Sequence, residues 1–310
     1  MANTLIVNLA VSDLAFSLLM GFPIKTLAAF NQFWGWGKKA CELYGFAGGF
    51  LGFVSLTTLA FIALDRYLAV MHPLENQPRL HSGHRVTKFL LFIWLWALTW
   101  SIPPFFGYGS YRLEGFHTSC TFDYLSTDVL NVLFNAGMYI FAFLLPLGML
   151  TFCYYGIVHK LQTNKRSMRS LSSQRTMDRL RAIRRHQEIR VVRISAVLVL
   201  LYLMAWCPYA MICLLALIGK RSHLTPIVAE LPVVFAKTSP VYNPIVYALM
   251  HENFRTELIK YPAFKWLCFC LPKKRSVSVG TTVHLTSSQQ ASSSTSTTQE
   301  LLVNRRSEQF

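Results

Sequence analysis

The sequence predicts an all-α membrane protein, a bundle of six membrane-spanning helices. Three observations predict it. Of 310 residues, 53% are hydrophobic and only 14% are charged, where a soluble domain carries roughly 25% charged residues. Six stretches reach the about 20 consecutive apolar residues that a bilayer helix needs. The links between them alternate between basic and nearly neutral, the bias that orients membrane helices. This composition excludes a disordered chain, a collagen and a small disulfide scaffold. The formal net charge of +16 would suit a nucleic-acid binder, but such a binder has no use for long apolar runs. Nucleic acid is therefore not an expected partner.

The apolar stretches cover residues 3–30, 41–71, 86–106, 129–159, 189–218 and 224–250. The first is too long for a signal peptide and lacks a basic start. Arg79, Arg85 and Lys88 follow the second stretch, nine Lys and Arg lie between Lys160 and Arg185, and six follow the last stretch up to Arg275. The other links hold one or two basic residues each. The positive-inside rule puts the rich links in the cytoplasm, and an even count of spans puts both termini there. Residues 1–252 form the transmembrane bundle. Residues 253–270, with Phe254, Leu258, Ile259, Phe264, Trp266 and Leu267, read as an amphipathic helix on membrane lipid. Its Cys268 and Cys270 are candidate palmitoylation sites. Residues 271–310 are rich in Ser and Thr and are expected to form a disordered cytoplasmic tail with phosphorylatable hydroxyls.

Ionisable groups inside a span are expensive and mark function by default. Asp13 lies in the first span, Asp65 and Arg66 near the inner end of the second, and Glu230 and Lys237 in the last. Lys237 is 13 residues from either end of 224–250, roughly 20 Å at a helical rise, which is too far for its amine to snorkel to water. A desolvated lysine amine is a nucleophile for carbonyls. One reading is therefore a covalent link to an aldehyde, and the other is a structural ion pair with Glu230. Pro240, Asn243 and Pro244 follow closely and Pro208 interrupts the previous span. Prolines there predict kinks or hinges. Cys41 and Cys120 both fall on the outer side, where a disulfide between them can form. No metal-ligand spacing, phosphate loop or glycosylation triplet is present in the sequence.

Together these residues resemble a rhodopsin-class (class A) G-protein-coupled receptor. Asn8-Leu9-Ala10-Val11-Ser12-Asp13-Leu14 is similar to that family's second helix and Cys41 to the start of its third. Asp65-Arg66-Tyr67 resembles its DRY triplet, Trp206-Cys207-Pro208-Tyr209 its sixth-helix switch, and Asn243-Pro244-Ile245-Val246-Tyr247 its NPxxY motif. The resemblance implies a seven-helix bundle of which this chain carries six spans, the second to the seventh, with the first helix missing from it. Within the family, Lys237-Thr238-Ser239 resembles an opsin, and Cys41-Glu42-Leu43-Tyr44 and Thr118 to Tyr124 resemble rhabdomeric opsins and melanopsins.

What the resemblance implies is specific. Lys237 would carry 11-cis-retinal or a related retinal as a Schiff base. Glu114, six residues before Cys120, would be its counterion, with Glu230 a second candidate. Tyr44 occupies the third-helix counterion position of vertebrate pigments, and a phenol carries no charge at neutral pH. Tyr44, Trp206 and Tyr209 would line the retinal site. Asp13, Asp65, Arg66, Tyr67, Glu188, Asn243, Pro244 and Tyr247 would form the switch, with Arg66 held by Asp65 and Glu188. The implied protein is a light receptor and not an enzyme, multi-pass in a photoreceptor cell membrane. Its partners would be a heterotrimeric G protein, of Gq type, with arrestin and a receptor kinase on the tail. Two other functions remain open from the residues: a retinal photoisomerase of the retinochrome type, and a class A receptor for a diffusible ligand.

Overall fold

Proline punctuates these apolar helices, and it sets the local geometry at three places. In the computed structural model, which describes residues 2–72, 83–168, 175–250, 256–258 and 260–261, the first apolar stretch is α1 (Ala2–Phe16) and α2 (Phe22–Asn31) joined by a π-helical turn, Ser17–Gly21. Pro23 follows that turn. It cannot donate to the helical ladder, so the preceding turn widens. The same occurs between α5 (Val129–Met138) and α6 (Leu145–Met168), where the π-helical turn Tyr139–Leu144 precedes Pro146. The other long helices are α3 (Gly37–Met71), α4 (Gly83–Ser101) and α7 (Arg175–Leu217), and α7 continues through Pro208.

Residues 224–250 do not form one helix. They form α8 (Pro226–Lys237) and α9 (Ser239–Met250), broken at Thr238. Pro240 removes one ladder donor and its ring crowds the carbonyl four residues back. At the break the Phe235 carbonyl accepts twice from Thr238, from its backbone N–H at 3.1 Å and from its Oγ1 at 2.7 Å. Among the described residues, five helical segments, 3–31, 37–71, 84–106, 129–163 and 189–217, are long and apolar enough to cross a membrane. The divided pair α8 and α9 falls short of that length as separate helices.

α3 occupies the centre. It packs against α1, α4, α6 and α7, and 67% of its apolar stretch is buried in the protein, against 17% for the stretch that contains α4. The main core joins Leu5 and Leu9 of α1, Val54, Leu56 and Leu59 of α3, and Leu198 and Tyr202 of α7. Large apolar side chains elsewhere face outward, such as Leu14, Leu95, Leu133, Phe152, Met204 and Leu231. Outward-facing apolar side chains suit a lipid surround rather than water.

Between α4 and α5 lies a two-stranded antiparallel hairpin that the sequence pattern did not announce. β1 (Tyr111–Glu114) pairs with β2 (Ser119–Phe122), with Leu113 opposite Cys120 and Glu114 opposite Ser119. Gly115 in its turn has φ +58° and approaches Glu230 so closely that a side chain there would collide with it. The Cys41–Cys120 disulfide ties β2 to the first turns of α3. α6 and α7 run through much of the basic link 160–188. Cys268, Cys270, the tail from 271 and nearly all of the expected amphipathic segment 253–270 lie outside the described residues, as does the side chain of Glu188.

Candidate functional site

A stripe of small residues on α3 opens a cavity beside it. Gly45, Gly48, Gly49 and Gly52 line this cavity, together with Phe16, Met20, Phe122, Tyr202, Trp206 and Tyr209. The glycines allow rings to lie against the helix: a Cβ on Gly52 would come within 2.9 Å of Trp206, and one on Gly45 within 2.6 Å of Tyr111. The space left between atoms is about 1040 Å³, part of it open to the outside. Its wall also includes Lys237 and Glu114. An apolar cavity with a few convergent polar groups is the general form of a small-molecule site.

Lys237 is the last residue of α8. Its Nζ donates to Tyr44 Oη at 3.0 Å and lies 4.9 Å from the centre of that ring. The Tyr44 hydroxyl in turn donates to the Met20 carbonyl at 2.9 Å. Trp206 Nε1 donates to Ser239 Oγ at 3.0 Å, tying α7 to the start of α9 just past the Thr238 break. The Trp206 ring stacks on Tyr202 and meets Phe16 and Tyr209 edge-on. The Tyr209 hydroxyl shares a 2.6 Å hydrogen bond with Thr121 of β2.

Glu114 is buried at the end of β1. One carboxylate oxygen accepts from Ser119 Oγ at 3.3 Å, and the other has no hydrogen-bond partner. Burial pushes the carboxyl well above the usual range, while the positive charges of Lys237 and Lys25 pull it back down. The sequence reading missed Lys25. It forms an ion pair with Glu230 and donates to Ser119 Oγ at 3.1 Å. The alternative pairing of Lys237 with Glu230 is therefore not the one adopted: Glu230 is engaged by Lys25. The signal for Lys25 was its charge near the outer end of an apolar stretch.

Deeper in the bundle, Asp13 accepts from Ser55 Oγ at 3.1 Å and from Asn243 Nδ2 at 2.5 Å. This joins α1, α3 and α9. Asn8 bridges Thr58 and Trp94. At the far end of α3, Asp65 and Arg66 form an ion pair, and Tyr67 packs on Phe152 of α6 with ring centres 5.4 Å apart. Arg190 on α7 donates twice to the Met250 carbonyl at the end of α9, at 3.2 and 2.9 Å. Pro244 lies within α9, and Tyr247 packs against the main core.

The model of the seven-transmembrane receptors of the rhodopsin family matches residues 1–247. The chain belongs to that family. It is 41% identical over 271 residues to a rhodopsin of Enteroctopus dofleini, covering 87% of this chain and 59% of that protein. It is 40% identical over 277 residues to a Gq-coupled rhodopsin of Mizuhopecten yessoensis, covering 88% of this chain and 55% of that one. The crystal structure of squid rhodopsin superposes with a TM-score of 0.80 at 37% identity, over 88% of this chain and 78% of that one. The chain thus spans under two thirds of the length of these curated relatives. Rhodopsin-family membership and the long apolar helices make it a multi-pass membrane protein.

Proposed function

We propose that this rhodopsin-family chain is a light-sensing opsin that holds retinal at Lys237 and signals through a heterotrimeric G protein of the Gq class. The observation that carries the reading is the amine of Lys237 in the wall of a ring-lined cavity, with the Glu114 carboxylate in the same wall. The residues fit the group. The glycines of α3 give a wall of flat rings suited to a polyene, and the free oxygen of Glu114 is an acceptor waiting for a positive partner. Names of relatives support it, since they are rhodopsins and one is called Gq-coupled.

When bound, retinal supplies the absorption of light and an isomerisation. The chain's own residues do the rest. Lys237 Nζ would hold the aldehyde carbon through a C=N bond, the carbonyl oxygen leaving as water, and Glu114 would balance a proton at that nitrogen. Tyr44 orients the nitrogen through its hydroxyl. Trp206 and Tyr209 form the wall that feels a change of ligand shape. Lys237 sits one residue before the Thr238 break and Trp206 bonds one residue after it, so strain at the site acts on α7 and α9 together. Packed helices are bistable, which amplifies a small displacement into a larger one. Asp13, Asn243, Pro244 and Tyr247 carry it inward, and Asp65, Arg66 and Tyr67, with Glu188 as a further partner of Arg66, release the inner face.

On this reading the six apolar segments correspond to the family's second to seventh helices, with the hairpin outside and the basic links inside. Segment 253–270 lies along the membrane with Cys268 and Cys270 as lipid anchors. The tail from 271 serves a receptor kinase and arrestin, and the protein resides in a photoreceptor membrane. The test is light-triggered nucleotide exchange on purified Gq by the retinal-loaded protein. Exchange in light and not in darkness is expected; equal rates in both contradict signalling.

A further inference from the structure

Two amines and two carboxylates meet beneath the hairpin, and only one of each is needed for the function proposed above. Lys25 comes from α2, Glu230 and Lys237 from α8, and Glu114 from β1. Lys25 touches one of these groups directly and a second through Ser119. It forms the ion pair with Glu230, and it donates to Ser119 Oγ at 3.1 Å. Ser119 stands directly opposite Glu114 in the hairpin and donates to it at 3.3 Å. The second oxygens of Glu114 and Glu230 are both buried without a hydrogen-bond partner. Without Lys25, the buried Glu114 and the part-buried Glu230 would compete for the charge at Lys237, and like charges at one site push one of them to take a proton.

We propose that Lys25 is a positioning residue for the charge balance at Lys237: it neutralises Glu230 and, through Ser119, holds Glu114, so that Glu114 alone serves as the counterion. The proposal rests on the retinal reading. The charged groups acting on Glu114 are Lys237, Lys25 and Glu230. Tyr44 from α3, Tyr124 after β2, and Tyr209 and Cys213 from α7 are also its electrostatic neighbours. These phenols and the thiol are uncharged at neutral pH and cannot replace the lysine.

The experiment is a pH titration of the visible absorption band of the full-length protein loaded with 11-cis-retinal. The midpoint of the acid-induced red shift reports protonation of the counterion. Lys25→Met removes a positive charge from beside Glu114 and leaves Glu230 unpaired. Its midpoint is expected to rise by about one pH unit or more, the scale of a neighbouring charge. The double variant Lys25→Met/Glu230→Gln removes both members of the pair and is expected to return to within a few tenths of a unit of the parent. Lys25→Arg, which keeps the charge, is expected to titrate like the parent. A single variant that titrates like the parent, or a double variant displaced as far as the single, overturns the proposal. If Lys25→Met alone forms no pigment, the double variant decides: a parental midpoint upholds the proposal, and a displaced midpoint or no pigment, with Lys25→Arg normal, defeats it. A parent chain that binds no retinal contradicts the retinal reading itself, and the proposal falls with it.

Discussion

Lys237 Nζ donates a hydrogen bond to Tyr44 Oη at 3.0 Å, so the amine of α8 is tied to the central helix α3. Tyr44 passes the link on to the Met20 carbonyl, in the π-helical turn between α1 and α2. One hydroxyl thus joins three helical segments around the cavity. On the proposed reading Tyr44 orients the nitrogen of Lys237, and the charge-balancing carboxylate is Glu114 of the hairpin.

Tyr44→Phe keeps the ring and removes only the hydroxyl. It leaves both the Lys237 amine and the Met20 carbonyl short of a partner, a loss of about 1–3 kcal/mol for a buried group left unpaired. Chemical unfolding of the ligand-free protein in detergent measures this. Unfolding indistinguishable from the parent would show that the bond contributes nothing.

Glu114 sets a pH dependence whose sign follows from its burial. Its carboxyl is raised above the ordinary carboxylate range in the folded state. The folded protein therefore binds this proton more tightly than the unfolded chain. The stabilisation is full below the ordinary range and is lost as pH rises through the folded value, about 1.4 kcal/mol for each unit of elevation. Glu114→Gln abolishes that component. Between about pH 5 and pH 8 the ligand-free variant is expected to lose less stability than the parent. An equal loss in both would mean that Glu114 does not titrate across the window.

The Cys41–Cys120 disulfide spans 79 positions and pins the hairpin beside the cavity. Removing a native disulfide from a small domain costs about 2–5 kcal/mol. Cys41→Ser is expected to lower the yield of folded protein and of pigment together, read by size-exclusion chromatography and absorbance. A parental yield of pigment would show that the hairpin is held by its other contacts.

The apolar stretches were legible because a helix in lipid must present some 20 apolar residues in a row, and five of the six are long apolar helices here. The sixth was read as continuous because Pro240 and Pro244 predict a kink, whereas the helix stops at Lys237 and a second begins at Ser239. The Cys41–Cys120 bond was legible because the basic bias of the links predicts the same side for both cysteines. The hairpin was not, because its strands of four residues lack a clean alternation: both Ser119 and Cys120 are buried. Lys25 was passed over as one basic residue near the end of a stretch. Its partner Glu230 lies 205 positions away, and no local spacing connects them. Glu230 was read as a second counterion candidate, with an ion pair to Lys237 as the open alternative, and the residue that engages it, Lys25, comes from a different helix, α2.

The central claim is that Lys237 is the residue that carries retinal. The direct measurement is to add 11-cis-retinal in the dark, record the visible band, reduce with borohydride and locate the retinyl group by peptide mass spectrometry. A visible band with the adduct on Lys237, both absent in Lys237→Ala, is the result expected. No band, or an adduct on Lys25 in place of Lys237, would contradict the account.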